Sequence, residues 1–267
     1  RAQKTMLFVR FEGAVGDIIG GYHGSLKNGA TYGAGKVGRG FVFDGVNDYL
    51  EVPNSSALNL AGDFTIEGWI NVTSASGQPT IIGKRSADGS DEPYVLYLFN
   101  GRLAFASAAA GFLPTWVNSP APITTNVWHH VAATLTGGQL RLYVDGSLQV
   151  SVAWNATRPA VSEPATIGAS VQDDFPSATP AAAFPGSIDE LSLYSRALTL
   201  SEINAIHLAG SQGKARDDVA RDYSTTSNNG PVWSYRWIPS TDVNTAYDPA
   251  AANANLLSGP NPTGGDG

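Results

Sequence analysis

The sequence predicts an all-β fold, a sandwich of two antiparallel sheets, with one short helix and a partial second segment after it. From residue 5 to about residue 195, short alternating apolar runs are separated by clusters of Gly, Pro, Asn and Asp, which is the spacing of sandwich strands. Helical periodicity is nearly absent there. The chain has 267 residues, of which 42% are apolar and 10% aromatic, so it can form one large β-domain.

About a dozen runs have strand character, and that number requires two sheets. The predicted strands are residues 6–11, 41–43, 49–52, 64–71, 80–84, 94–99, 103–107, 128–136, 140–144, 149–152, 165–168 and 187–194. Strand 64–71 has no clean apolar face, as expected if its sheet is covered on both sides.

Three short turns predict hairpins. Asn100-Gly101 and Asp145-Gly146 each stand between two strands, and these pairs accept the positive φ angles of a type I′ turn. Gly137-Gly138 forms a third turn. Residues 128–152 are therefore expected to form a three-stranded antiparallel meander.

A helix is predicted after the last strand. Thr199 and Glu202 have the spacing of a capping box. Ile203, Ile206 and Leu208 would supply the buried stripe, and Gly210 would close the helix.

We place the sandwich domain at residues 1–212. Residues 213–267 read as a linker and the start of a second, aromatic-containing β segment of a longer parent protein. The alternative is an extended tail that folds back onto the first domain.

The charge and the residue types exclude several classes of protein. The formal net charge is -7, so no basic surface is expected for nucleic acid. The chain has no Cys, which excludes disulfides and thiolate metal sites. No apolar run is long enough to insert into a membrane, and the polar start does not resemble a signal peptide. The surplus of carboxylates suits solubility and also oxygen ligands for Ca²⁺.

Several motifs appear together in a characteristic order. They are Gly40-Phe-Val-Phe-Asp-Gly-Val-Asn-Asp-Tyr-Leu-Glu-Val-Pro, Phe64-Thr-Ile-Glu-Gly-Trp-Ile, Val127-Trp-His-His-Val-Ala-Ala-Thr, Leu140-Arg-Leu-Tyr-Val-Asp-Gly and Gly186-Ser-Ile-Asp-Glu-Leu-Ser-Leu-Tyr. Over about residues 5–210 the chain closely resembles the laminin-G-like, concanavalin A-like domains of bacterial surface and secreted proteins. The resemblance implies an antiparallel jelly roll, often with one structural Ca²⁺ ion, that serves carbohydrate or protein adhesion.

The resemblance also implies where the ion would lie. In related domains it sits where the early strand meets the late Ile-Asp-Glu strand, which points to Glu12 or Asp17 together with Asp189. Asp44 and Asp48 are further carboxylates near Gly-rich bends, and their alternative role is to fix turns through backbone amides.

A glycan surface requires exposed aromatic rings and a few convergent polar groups. Trp116 and Trp154 lie in loop-like surroundings and are the preferred candidates. Tyr94 and Arg102, with Lys84 and Arg85, could line the same face, although an ordinary solvated strand position explains each of them better. Trp69 and Trp128 lie in predicted strands and are expected to pack in the core.

Catalysis is not expected. A sandwich glucanase needs two carboxylates about 5 to 5.5 Å apart, whereas Asp189 and Glu190 are adjacent on a strand and would face opposite sides. The same argument separates His129 from His130. No known nucleophile, metal or nucleotide motif is present in the sequence.

The sequence therefore predicts a non-catalytic, secreted or cell-surface module that binds a glycan or a cell-surface protein and is stabilised by Ca²⁺. Two alternatives stay open. One is a structural building block that packs against copies of itself in an extracellular assembly, and the other is an accessory domain of a glycoside hydrolase.

Overall fold

The fold is that of a computed structural model, which describes residues 5–10, 16–17, 24–111, 114–171 and 180–214. The chain divides into two units, residues 1–226 and 227–267. The described residues all belong to the first unit. The predicted second segment lies outside them from residue 215 onward.

The described residues are mostly strands. The first nine in chain order are β1 Thr5–Arg10, β2 Gly16–Asp17, β3 Ser25–Lys27, β4 Thr31–Ala34, β5 Arg39–Asp44, β6 Tyr49–Val52, β7 Phe64–Val72, β8 Thr80–Lys84 and β9 Glu92–Phe99. The next nine are β10 Arg102–Ala108, β11 Thr115–Pro122, β12 His129–Thr136, β13 Gln139–Val144, β14 Ser147–Ala153, β15 Ala165–Ile167, β16 Ser170–Val171, β17 Pro180–Ala181 and β18 Pro185–Tyr194. The helix α1 spans Leu200–Ala209, with single 3-10 turns at Ser56–Asn59 and Gly210–Gln212.

Within the described part of the chain, these strands form two large antiparallel sheets and a small β16–β17 pair. The seven-stranded sheet has the order β11-β10-β9-β8-β15-β6-β3. The nine-stranded sheet has the order β14-β13-β12-β7-β18-β1-β2, with β5 also paired to β18 and β4 paired to β5. The predicted two-sheet jelly-roll sandwich with one short helix is confirmed.

Strand β18 organises the nine-stranded sheet. Along one side it pairs with β7, and along the other it pairs first with β5 and then with β1. A β-bulge lies where this partner changes, and Glu190 in the bulge has φ 52°. The bulge shifts the alternation of side chains, because Ile188 and Leu191, three residues apart, both belong to the core between the sheets.

The main core lies between the two sheets. Phe64 of β7 and Phe105 of β10 meet there with their ring centroids 5.5 Å apart. Every residue of β7 except Asn71 is buried, so the absence of an apolar face in the sequence reflects a strand covered on both sides. On the outer face of the nine-stranded sheet, Ile203 of helix α1 packs with Ala132, Tyr143 and Tyr194.

The predicted turns and helix cap are present. Asn100, Asp145 and Gly137 have φ of 48°, 50° and 55°, and strands β12, β13 and β14 form the expected meander. Thr199 and Glu202 form a complete capping box. One helix position was wrong: Leu208 is 74% exposed and belongs to no buried stripe, since Ile203 and Ile206 supply the contact with the sheet. None of the helices among the described residues is long and apolar enough to cross a bilayer.

Candidate functional site: an aromatic platform on the seven-stranded sheet

Two of the four residues predicted to bind a ligand lie inside the sandwich. The Tyr94 side chain is fully buried in the core, and burial raises the pKa of its hydroxyl. Trp154 is 4% exposed and packs edge-on against Phe105 at 5.4 Å. Lys84 is also buried. The expectation that these residues line an exposed face was wrong, because a position near loop residues or on a strand does not by itself tell which face is covered.

Trp116 and Arg102 are placed differently. Trp116 is 54% exposed, and it lies on β11, the edge strand of the seven-stranded sheet. Arg102 is partly exposed on the neighbouring strand β10. These two predicted residues reach the same outer face of the sheet.

The alternation of side chains defines that outer face. On β9 and β10, Leu96, Leu98, Leu103 and Phe105 belong to the core between the sheets. Their neighbours along each strand therefore point away from the core. These neighbours form a separate apolar cluster made of Val95, Tyr97, Ala104 and Ala106, with Phe99 packed against it.

Trp116 extends this cluster onto β11. Ala106 has Val95 and Trp116 as its register partners, and Ala104 has Tyr97 and Asn118. The Phe99 and Trp116 rings have their centroids 5.5 Å apart and are tilted by 43°. We call the outward-pointing residues Val95, Tyr97, Phe99, Ala104, Ala106 and Trp116 the aromatic platform. Four of them are buried, so Trp116 and the half-buried Phe99 form its accessible part.

Small residues on β10, the strand between β9 and β11, explain how the platform forms. Phe99 and Trp116 come from strands on opposite sides of β10, and Ala104 and Ala106 between them carry only a methyl group. The large rings can therefore approach each other across β10. Ala104 is itself fully buried, although it lies on the outer face.

Two polar side chains converge at the border of the platform. The Arg102 Nη1 and the Asn118 Nδ2 both donate to the carbonyl oxygen of Ser119, at 3.4 Å and 2.9 Å. A guanidinium carries five N–H donors, and a side-chain amide has two donors and an acceptor, so both groups keep hydrogen-bonding capacity beyond this contact. Exposed aromatic rings beside a few convergent polar groups are the usual makeup of a ligand site.

The sequence interpretation missed Phe99, Asn118 and the strand that carries Trp116. The sequence around Trp116 reads as loop-like, and residues 115–122 contain Pro120 and Pro122, which interrupt the hydrogen-bond ladder of a strand. Edge strands tolerate proline, and β11 is one. Alternation from Trp116 would then have placed Asn118 on the same face.

Of the carboxylates predicted to hold Ca²⁺, the structure describes the side chain of Asp189. The side chains of Glu12 and Asp17 lie outside the described residues. The Asp189 side chain is 1% exposed, and its two oxygens accept the amide hydrogens of Val37 and Glu190, each at 2.8 Å. Burial raises the pKa of Asp189, and these amide hydrogen bonds oppose the rise.

Among the described residues, no group of three His, Asp or Glu side chains is arranged to hold a metal ion. Asp44 and Asp48 instead fix a turn: Asp44 accepts from the amides of Val46 and Asn47, and Asp48 accepts from the amide of Asp44. The Ca²⁺ ion therefore stays a prediction that depends on Glu12 and Asp17.

The two adjacent histidines have separate carboxylate partners. The Nε2 of the fully buried His130 lies 3.0 Å from the Glu67 Oε2. This contact lies on the outer face of the nine-stranded sheet, near His207 of α1. The His129 Nδ1 lies 2.7 Å from the Asp145 Oδ2. The pair therefore serves two different contacts rather than one chelating site.

Known proteins that are similar to this chain have the same fold. The family model described as the concanavalin A-like lectin/glucanases superfamily matches residues 44–204. No curated protein is close enough in sequence to count as a relative.

Solved structures with this fold include domain 4 of AbnA, an extracellular GH43 arabinanase from Geobacillus stearothermophilus, in complex with arabinotriose. The TM-score is 0.60 at 19% identity, over 77% of this chain and 98% of that domain. The binding domain of Paraclostridial Mosquitocidal Protein 1 gives 0.60 at 16% identity, over 77% of this chain and 52% of the other.

A botulinum neurotoxin type C structure, whose cell entry is described as dependent on two ganglioside molecules, gives a TM-score of 0.59 at 14% identity, over 77% of this chain and 51% of the other. The chain thus spans about half the length of the two toxin structures. Identities this low establish a shared fold alone. The family model, by contrast, covers more than half of the sequence, and the chain belongs to the laminin-G-like family of the concanavalin A-like lectin/glucanase superfamily.

Proposed function

We propose that this chain is a non-catalytic carbohydrate-binding module that acts outside the cell, and that the aromatic platform is its binding face. The observation that carries the proposal is the exposed Trp116 ring beside Phe99, with Arg102 and Asn118 at its border. An indole face can pack against the C–H face of a sugar ring, while the polar pair can hydrogen-bond its hydroxyl groups.

The structural neighbours support a binding role without defining the ligand. One is an arabinanase domain in complex with arabinotriose, and another belongs to a toxin whose entry is described as requiring gangliosides. Fold alone does not assign function. The proposal therefore depends on the platform residues of this chain, and the ligand has to be found by experiment.

The test is a glycan array followed by calorimetry on the best ligand, with the wild-type chain and Trp116→Ala. We expect the substitution to raise the Kd by about tenfold or more, as when a central aromatic anchor is truncated. The matched control is Leu148→Ala, because Leu148 is 47% exposed and lies on β14 of the other sheet.

Circular dichroism and thermal unfolding of both variants show whether the fold is intact. Equal loss of binding in both variants would contradict a specific platform. A ligand whose affinity is unchanged by Trp116→Ala would place the binding face elsewhere.

A further inference from the structure

The cation at the edge of the platform has few partners of its own. Arg102 lies on β10 on the same face as Ala104 and Ala106, and its register partners are Phe99 and Pro122. Within the described residues, its guanidinium makes one hydrogen bond, from Nη1 to the Ser119 carbonyl oxygen at 3.4 Å. Among the residues that the structure describes, no carboxylate lies within ion-pair distance of it.

Other arginines of the domain are used differently. Arg158 donates three hydrogen bonds to the carbonyl oxygens of residues 60–62. Arg196 holds both oxygens of Glu202, at 2.9 Å and 2.6 Å. These guanidinium groups fix a loop and a helix start. Arg102 keeps most of its planar donor fork unpaired beside an exposed ring.

A guanidinium fork fits oxyanions, and the carboxylate is the oxyanion that uronic and sialic acids carry. The parallel N–H donors of the fork bind a carboxylate in a bidentate manner, whereas a hydroxyl group accepts only one of them. Asn118 shares the Ser119 carbonyl with Arg102 and still offers its Oδ1 as an acceptor for a hydroxyl. Along the sheet Asn118 lies between Arg102 and Trp116, and Trp116 supplies the stacking surface.

We infer that the ligand of the aromatic platform is a glycan with a carboxylate-bearing sugar residue, whose carboxylate binds Arg102. This inference rests on the proposed function and narrows it to acidic glycans. The attraction between Arg102 and the carboxylate acts at short range only, because the chain has a formal net charge of -7 and does not attract anions over long distances. At physiological salt the field of that net charge is screened beyond about 8 Å.

The test compares acidic sugars with their neutral counterparts on the full chain. One pair is trigalacturonate and its methyl ester, and the other is sialyllactose and lactose. The two pairs distinguish a uronic acid from a sialic acid as the source of the carboxylate. We expect at least one acid to bind about threefold to tenfold more tightly than its neutral partner, as for one partly exposed, charge-assisted contact.

Arg102→Gln should remove this preference, so that this variant binds the acid no more tightly than the neutral sugar. Arg102→Lys should retain part of the preference, because the charge stays and the planar fork is lost. Equal binding of acid and neutral sugar by the wild type, or a preference that survives Arg102→Gln, would overturn the inference.

Trp116→Ala separates this inference from the proposed function. If neutral sugars bind in a Trp116-dependent way and no acid is preferred, the platform stands and the acidic ligand is wrong. If none of these sugars binds, the acidic ligand is wrong, and the proposed function fails as well only if the glycan array shows no Trp116-dependent ligand.

Discussion

Lys84 has its charged end inside the protein. The side chain is 1% exposed, and the Nζ donates to Asn54 Oδ1 at 2.9 Å, to Asn59 Oδ1 at 2.9 Å and to the Val161 carbonyl oxygen at 2.6 Å. All three acceptors are neutral. Burial lowers the pKa of Lys84 from 10.5 to about 8, and the more distant Glu163 opposes this shift.

This shift predicts a stability that rises with pH. Between about pH 8 and the pKa of an unfolded lysine, the unfolded chain holds a proton that the folded chain has lost, so alkali favours folding. We expect the free energy of unfolding of the wild type to rise relative to that of Lys84→Met between about pH 8 and about pH 9.5. Urea denaturation of both proteins at several pH values measures the difference.

Below about pH 7 the lysine is charged in both states, so the difference between the two proteins should be constant there. That plateau is the internal control. Measurements stop before pH 10 because burial raises the pKa of Tyr94. Once the pH exceeds the pKa of tyrosine in the unfolded chain, this buried neutral tyrosine lowers the free energy of unfolding. A difference that stays flat from pH 7 to about pH 9.5 would contradict the prediction.

At the scale of elements, helix α1 and the chain after it are tied to the nine-stranded sheet by buried charge. The Lys214 Nζ lies 2.7 Å from the Glu67 Oε1 and 2.8 Å from the Ser192 Oγ. It also donates to the carbonyl oxygen of Glu190 in the β18 bulge. Lys214 therefore packs against the nine-stranded sheet.

Glu67 depends on this contact to stay ionised. Its side chain is fully buried, and burial favours the neutral acid. The Lys214 ammonium and the hydrogen bond with His130 more than offset burial, and they hold the pKa of Glu67 below its usual value. Removing one partner would leave the other charge buried without compensation.

Lys214→Met is therefore expected to lower the free energy of unfolding by about 3 to 5 kcal/mol. The double variant Glu67→Gln/Lys214→Met should recover part of this loss, because no buried charge remains. The matched control is Arg196→Met, whose partner Glu202 is partly exposed and whose loss should cost only about 1 kcal/mol. Urea denaturation of the four proteins tests this; a Lys214→Met loss no larger than the control's would contradict it.

At the scale of the whole molecule, local patterns predicted the sandwich but not its faces. Asn100-Gly101 and Asp145-Gly146 specify hairpins through their own backbone preferences, and Thr199 with Glu202 specifies the helix start. Such signals lie within a few residues of each other. The pairing of β18 with β5 and β1 joins residues more than a hundred positions apart, and no local pattern contains it.

The residues of the candidate site could likewise be predicted only in part from local sequence patterns. Trp116 and Trp154 have similar polar, proline-containing surroundings in the sequence, yet one ring is exposed and the other is in the core. Tyr94 was assigned to the wrong face because alternation gives two faces without saying which one is covered. Phe99 meets Trp116 only through the order of three strands.

Calcium is the remaining prediction for the whole domain. The early and late strands do meet, because Val9 of β1 has Leu191 of β18 and Asp17 of β2 as register partners. The backbone therefore brings Asp17 to the neighbourhood of β18. A ligand that binds only the folded state stabilises it by about 2.7 kcal/mol at a hundred times its Kd, which would raise the Tm by a few degrees.

We expect excess CaCl₂ to raise the Tm of the wild type above its value in EDTA, and Asp17→Asn to abolish the response. Asp189→Asn should lower the Tm under both conditions, because an amide in place of the carboxylate would turn an N–H group toward the amides of Val37 or Glu190. If Asp189→Asn keeps the calcium response, Asp189 holds the β4–β5 turn and is not a ligand. If the wild type melts at the same temperature with calcium and with EDTA, the calcium prediction is wrong, and hydrogen bonds alone join Asp189 of β18 to that turn.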